Sequence, residues 1–125
     1  MRIVLSHQSG VPIYEQIKEQ IKASVLSGLL AENSLLPSIR QLARDLKVSV
    51  ITTTRAYNDL ELEGFIQSVP GKGCYIKKID ADLVRRQYLA ETKATLLIAV
   101  QQAKTAGLTK EELHRLLDEA EEKTE

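Results

Sequence analysis

The sequence predicts an α+β fold in which a winged helix-turn-helix, three helices plus a β-hairpin wing, is followed by a two-helix tail. Two short amphipathic segments flank a tight turn, and a Pro-Gly-Lys-Gly turn then separates two runs of β-forming residues. A leucine-rich stretch with helical spacing follows. We therefore predict a winged helix-turn-helix domain over residues 1–79 and a helical tail over residues 80–125.

The first helix is expected to begin at Pro12, because the first turn of a helix does not need the missing N–H. Its apolar stripe is formed by Ile13, Tyr14, Ile17, Ile21 and Val25. We interpret this helix, which should end near Gly28, as scaffold. Residues 2–5 are consistent with a short strand or an arm, and residues 29–35 with a connecting loop.

Two segments with the apolar spacing of an α-helix, each preceded by a helix N-cap signal, predict the helix-turn-helix. Ser38 and Gln41 have the spacing of a capping box, and Ser49 is a suitable N-cap for the second helix, which Gly64 ends. The two buried stripes consist of Ile39, Leu42, Ala43 and Leu46 in one helix, and of Thr53, Ala56, Tyr57 and Leu60 in the other. Only Lys47 and Val48 remain for the turn between them.

The face opposite the second stripe carries groups suited to double-stranded DNA. Ile51, Arg55 and Asn58 point away from the stripe, and Thr52 and Thr54 flank them near the N-terminal end that enters a major groove. Arg can pair with guanine, Asn with adenine, and Thr can contact phosphate or a thymine methyl. Taken alone, this segment is equally consistent with an ordinary polar helix surface.

The residues behind this helix favour the DNA-binding interpretation. Two short strands are expected, one built on Phe65, Ile66 and Val69 and the other on Tyr75, Ile76 and Ile79. The turn at residues 70–73 places Lys72 at the tip between two glycines, which allow close approach of the backbone. Such a tip suits a minor groove or a phosphate.

The stretch LPSIRQLARDLKVSVITTTRAYNDLELEGFIQSVPGKGCYI, with PIYEQIKEQI before it, resembles the winged helix-turn-helix of GntR-type bacterial transcription regulators. The resemblance covers about residues 12–79, and the short tail resembles the YtrA-type branch of that family. It implies DNA contacts from both helices and the wing. Carried onto this chain, the implied contacts are Ser38, Arg40, Thr52, Arg55, Tyr57, Gly71, Lys72 and Gly73.

Val50 and Ile51 depart from the family pattern, which commonly has Arg, Pro, Asn or Thr at these positions. An outward Ile51 can pack on a thymine methyl, or a neighbouring segment can cover it so that it reads nothing. Both alternatives are open at this point.

The 17 basic and 17 acidic residues give no net charge, yet they are unevenly distributed. Residues 1–79 hold ten Lys and Arg against seven acids, and residues 80–125 hold seven against ten. The predicted DNA-binding domain is therefore the positive part of the chain, at +3, and the tail is negative, at −3.

The tail is predicted to contain a long helix ended by Gly107 and a second helix opened by a capping box, Thr109 to Glu112. About 40 residues have too little core to stand alone, so the tail leucines need a surface to bury against. That surface is either the chain's own winged domain or, as we expect, the same helices of a second copy in a homodimer. The expected dimerisation residues are Leu89, Leu96, Leu97, Val100, Leu113, Leu116 and Leu117. A dimer-interface pocket for an unknown small-molecule effector is left open.

The sequence lacks the residue patterns that indicate a metal site, a cofactor site or an enzyme. Cys74 is a single cysteine, and His7 and His114 are isolated, so neither a metal site nor a cofactor is expected. No nucleophile with a base, carboxylate pair or phosphate loop indicates an enzyme. With neither a signal peptide nor a membrane-spanning segment, a cytoplasmic location is expected, with no membrane partner.

We thus expect a dimeric transcription regulator, most simply a repressor that occupies an inverted-repeat operator. The alternative is a winged-helix protein-interaction module that uses the Ile51 face and binds no specific DNA.

Overall fold

A computed structural model describes residues 1–124 and confirms the predicted fold. The elements in chain order are α1 (Ile13–Leu26), α2 (Ile39–Leu46), α3 (Val50–Leu62), β1 (Ile66–Val69), β2 (Gly73–Ile76), α4 (Ala81–Thr105) and α5 (Lys110–Thr124). The chain divides into two compact units, the first spanning Met1–Ala81 and the second beginning at Asp82. No helix within residues 1–124 combines the length and the apolar character needed to cross a bilayer.

The local start signals form as predicted, with one exception. The Oγ atoms of Ser38 and Ser49 accept hydrogen bonds from the third backbone N–H that follows each of them, at 3.1 and 3.0 Å. Gln41, however, does not return a bond to Ser38. Its side chain donates to Asp45 Oδ1 at 2.7 Å and accepts from Arg44, so only half of the predicted capping box is present. The turn at Lys47 is made by a left-handed backbone with φ of 57°.

The core of the first unit lies where α1 and α2 pack against α3 and where β1 follows α3. As predicted, α3 buries Thr53, Ala56, Tyr57 and Leu60. The remaining buried apolar residues of this unit are Ile17, Ile21, Leu36, Leu42, Ala43, Phe65, Ile66 and Ile76. Removing these side chains from water fixes the orientation of α3, the predicted recognition helix.

The wing is the predicted two-stranded hairpin, and a further segment of the chain is hydrogen-bonded to its second strand. β1 and β2 pair antiparallel, with Ile66 opposite Ile76 and Val69 opposite Gly73, and β2 ends three residues before Ile79. The predicted loop before α2 pairs with the other edge of β2, through Ile76 N–H to the Ser34 carbonyl at 3.0 Å and Leu36 N–H to the Cys74 carbonyl at 2.9 Å. Leu35 therefore forms an isolated β-bridge with Tyr75, and these bonds tie the wing to the chain just before α2.

Residues 1–9 form an arm along α1 and not a strand. Gln20 Oε1 accepts from Val4 N–H at 2.9 Å and its amide donates to the Val4 carbonyl at 2.6 Å. Gln16 repeats this pair of bonds with the backbone of Ser6, at 2.8 and 2.7 Å. Two glutamine side chains thus supply backbone hydrogen bonds that a neighbouring strand would ordinarily provide to an extended segment.

In the tail, the second predicted capping box is complete. Thr109 Oγ1 accepts from Glu112 N–H at 3.1 Å, and Glu112 Oε1 accepts from Thr109 N–H at 3.0 Å. Gly107, with φ of 72°, follows the end of α4. Ala103 is the one buried residue in the described part of the tail. Apart from the half-buried Leu113, the tail leucines therefore remain exposed within a single chain.

Candidate nucleic-acid interface

The outward face of α3 carries the groups that the sequence predicts. Ile51, Arg55 and Asn58 are exposed, and Thr52 and Thr54 are half-buried beside them. Ile51 is 82% exposed, so nothing within the first unit covers it. We call these five residues, Ile51, Thr52, Thr54, Arg55 and Asn58, the reading face.

Tyr57 does not belong to the reading face. The resemblance implied that it contacts DNA, but its side chain is only 2% exposed. Its hydroxyl donates a 2.7 Å hydrogen bond to the Pro37 carbonyl, and burial raises its pKa, so it stays a neutral donor. The prediction of a side-chain contact from Tyr57 is therefore wrong, because helix periodicity turns this position towards the core.

Arg55 is stacked on an aromatic ring from another helix. Its guanidinium carbon lies 3.8 Å from the centroid of the Tyr14 ring, in the first turn of α1. This is a close cation–π arrangement. The sequence predicts α1 as scaffold only, and no signal in it links two residues 41 positions apart.

A positively charged concavity of about 800 Å³ adjoins the reading face, between α2 and the start of α3. Its cationic lining comes from Arg40, Arg44 and Lys47. Arg40 was among the predicted contacts, whereas Arg44 and Lys47 were not. Their signal was available, since positions 40 and 44 lie one turn apart on the same face of α2. Cations at this place are suited to the phosphates that flank a major groove.

Ser38 is exposed beside this concavity, at the start of α2. Its Oγ already accepts the capping bond from Gln41 N–H, but a hydroxyl keeps a donor for a phosphate oxygen. The predicted Ser38 contact is compatible with this geometry and stays a prediction.

The wing tip is exposed from Gly71 to Gly73, with Lys72 between them. Gly73 has φ of 116°, and a Cβ there would lie 3.0 Å from Leu35 Cδ1, so this position needs glycine. On β1 of the wing, Ser68 N–H donates to a Glu61 carboxylate oxygen of α3 at 2.7 Å. That bond couples the wing to α3.

Acidic groups near α3 are concentrated at its C-terminal end, away from the reading face. Lys18 Nζ lies 3.2 Å from Glu63 and 3.7 Å from Asp59, and Lys22 also pairs with Glu63. Burial acts to raise the pKa of Glu63, but its bonds to Lys22 and Lys18 outweigh this and lower it overall. These pairs offset the charges of Asp59 and Glu63 and fix α1 against α3.

Within residues 1–124, no three His, Cys, Asp or Glu side chains cluster in a way that could hold a metal ion. Cys74 Sγ lies 3.5 Å from Ser68 Oγ on the paired strand. Cys74 is therefore an ordinary residue of β2.

Comparison with known proteins gives the same assignment. Residues 13–76 match the family described as "Bacterial regulatory proteins, gntR family". The HTH-type transcriptional repressor YtrA of Bacillus subtilis (strain 168) is 33% identical over 117 residues, which cover 94% of this chain and 90% of the relative.

Two solved structures extend the comparison. A protein from Listeria monocytogenes EGD-e, described as a transcriptional antiterminator, is 35% identical with a TM-score of 0.75 over 97% of this chain and 90% of its own. AraR(DBD) in complex with operator ORE1 is 28% identical with a TM-score of 0.52, over 61% of this chain and 93% of its own. The chain therefore belongs to the GntR family of bacterial transcription regulators and carries the family's DNA-binding winged helix.

Proposed function

We propose that this protein is a dimeric repressor that binds an inverted-repeat operator. The observation that carries the proposal is the grouping of exposed cations on one side of the helix-turn-helix, Arg40, Arg44, Lys47 and Arg55, around an uncovered α3 N-terminus. At the other end of α3, Asp59 and Glu63 are paired with α1 lysines. This separation of charge leaves the positive end available for a duplex.

The reading face supplies the base contacts in this proposal. Arg55 and Asn58 have the hydrogen-bonding groups for guanine and adenine edges, Ile51 has an apolar surface for a thymine methyl, and Thr52 and Thr54 can contact phosphates. Lys72 and its glycine neighbours place the wing tip against the backbone or the minor groove. The AraR(DBD) complex with operator ORE1 supports a duplex as the partner of this fold.

The tail supports the homodimer. An apolar groove of about 650 Å³ lies between α4 and α5. Its lining includes five of the seven predicted dimerisation residues, namely Leu96, Val100, Leu113, Leu116 and Leu117. Leu89 and Leu97 lie outside the groove lining on α4 and are exposed. We assign this tail groove to the tail of a second copy, because burying these leucines removes a large apolar surface from water.

The chain resembles YtrA over nearly its whole length, and YtrA is named a transcriptional repressor. This resemblance supports repression rather than activation. A dimer of this kind reads two half-sites related by a two-fold axis, spaced about 34–36 Å apart or a multiple of it. Occupation of such a site across a promoter blocks transcription.

The test is a selection of genomic fragments with the purified full-length chain at two salt concentrations, combined with sedimentation analysis. Recovery of an inverted repeat, bound by a species of twice the chain mass, is the expected result. Weak binding that is indifferent to sequence and lost at the higher salt concentration would overturn the proposal and favour the protein-interaction alternative.

A further inference from the structure

We propose that Tyr14 is a positioning residue of the DNA-reading site, which holds the Arg55 guanidinium in the orientation that meets the duplex. The inference rests on the proposed DNA-binding function and deepens it. It assigns a role in recognition to α1, the helix that otherwise serves as scaffold.

The geometry of the pair is that of a stacked guanidinium. The Arg55 guanidinium carbon is 3.8 Å from the Tyr14 ring centroid, whereas Lys22 Nζ lies 5.3 Å from the Phe65 ring centroid. Tyr14 is half-buried and Arg55 is exposed. One face of the guanidinium is therefore covered by a fixed ring while its remaining surface is open to solvent.

The ring is itself held by the packing of α1 on α3. Lys18 and Lys22 pair with Asp59 and Glu63 further along the two helices, and Ile17 and Ile21 are fully buried. Tyr14 stands one turn before this anchored stretch, on the same side of α1 as Ile17 and Ile21. The tyrosine ring is thus a rigid platform and not a mobile surface group.

Stacking preserves the chemistry that recognition needs. The N–H donors of a guanidinium lie in its plane, so a ring above that plane leaves them free for a guanine edge or a phosphate. A long arginine side chain loses rotamer freedom when it binds, and a stack formed beforehand reduces that loss. Within the described residues, no carboxylate forms an ion pair with Arg55, so its charge also stays available.

The experiment measures the affinity of the full-length chain for its selected operator by fluorescence anisotropy, using Y14F, Y14L, R55A and the double variant Y14L/R55A. We expect Y14L to weaken binding about fivefold, the upper end of the range for exposed cation–π contacts. Y14F, which keeps the ring, should stay within about twofold of wild type. In the R55A background, Y14L should have no further effect.

Matched controls separate positioning from folding. V25A removes part of a half-buried side chain from the last turn of the same helix, far from Arg55 in sequence, and should lower the thermal midpoint without changing operator affinity. A second readout is base preference, measured at the operator position where the R55A variant no longer distinguishes one base from another. Y14L should relax preference at that base alone, which a general loss of stability does not do.

Equal losses in Y14F and Y14L would overturn the inference, because the hydroxyl and not the ring would then act. A further loss from Y14L in the R55A background would overturn it as well. Absence of any specific binding by the wild-type chain would instead overturn the proposed function on which the inference rests.

Discussion

The Tyr57 hydroxyl of α3 donates a 2.7 Å hydrogen bond to the carbonyl of Pro37, the residue just before the N-cap of α2. The bond joins the two helices of the helix-turn-helix at a point where both are packed. Tyr57 is therefore a core residue that sets the angle of α3, and the groups available to DNA lie on the opposite side of that helix.

Loss of Arg55 should weaken operator binding and relax specificity together. We expect R55A to cost about 1–3 kcal/mol at the selected site, because a bidentate base contact discriminates by that amount. The measurement is a titration against the operator and against variants of each base. R115A, which removes an exposed arginine from the tail, is the control. Unchanged affinity of R55A would mean that the reading face is wrongly assigned.

Lys72 should act on every sequence alike. We expect K72A to reduce affinity for specific and non-specific duplexes by the same factor, and to lower the slope of log K against log salt by about 1 per protomer. Titrations at several salt concentrations check this. If K72A instead changed base preference, the wing tip would be reading sequence.

Ile51 should distinguish thymine from uracil. Replacing one thymine of each half-site by deoxyuridine removes only a methyl group, and we expect a cost of roughly 0.8 kcal/mol at the position that Ile51 covers. The I51A variant should lose this discrimination, whereas uracil at other positions serves as the control. Equal binding to thymine and uracil at every position would show that Ile51 reads no methyl group.

Glu63 should make the first unit sensitive to acid. Its folded pKa is lowered below the ordinary value of 4.5 by the bonds to Lys22 and Lys18, so its contribution is complete above that value and is lost as pH falls through the folded pKa. We expect E63Q to lower the free energy of unfolding by about 1 kcal/mol at neutral pH, a small figure because solvent screens this half-exposed group.

Urea denaturation at neutral pH and at about pH 3 measures this difference, which should shrink towards zero in acid. E32Q, in an exposed loop, is the control and should behave as wild type at both values. A deficit in E63Q that stayed constant with pH would show that packing, and not charge, accounts for it.

The tail groove should be the dimer contact. We expect L96E and L116E to dissociate the dimer, because each places a charge in an apolar interface, and operator affinity should fall with dissociation. I98E is a matched control, since Ile98 is an exposed apolar residue of α4 that does not line the groove. Sedimentation velocity measures the outcome. Dimers that survive both groove variants would place the interface elsewhere.

The elements that the sequence alone determined are those whose signals are local. The caps at Ser49 and Thr109 join residues three positions apart, and the glycines at 64 and 107 stop helices through their own backbone conformation. Apolar periodicity within one helix likewise determined which residues α3 buries. These interactions depend on neighbouring residues, so a linear pattern contains them.

Only the tertiary structure decided the relationships between distant segments. Packing of α1 on α3 brings Tyr14 to Arg55, and packing of the wing against the chain before α2 gives Leu35 of the predicted loop a β-bridge to Tyr75. Gln16 and Gln20 bind the arm because the chain folds back along α1. The physical reason is that each contact depends on how whole elements bury their apolar faces, and no spacing within one element specifies that geometry.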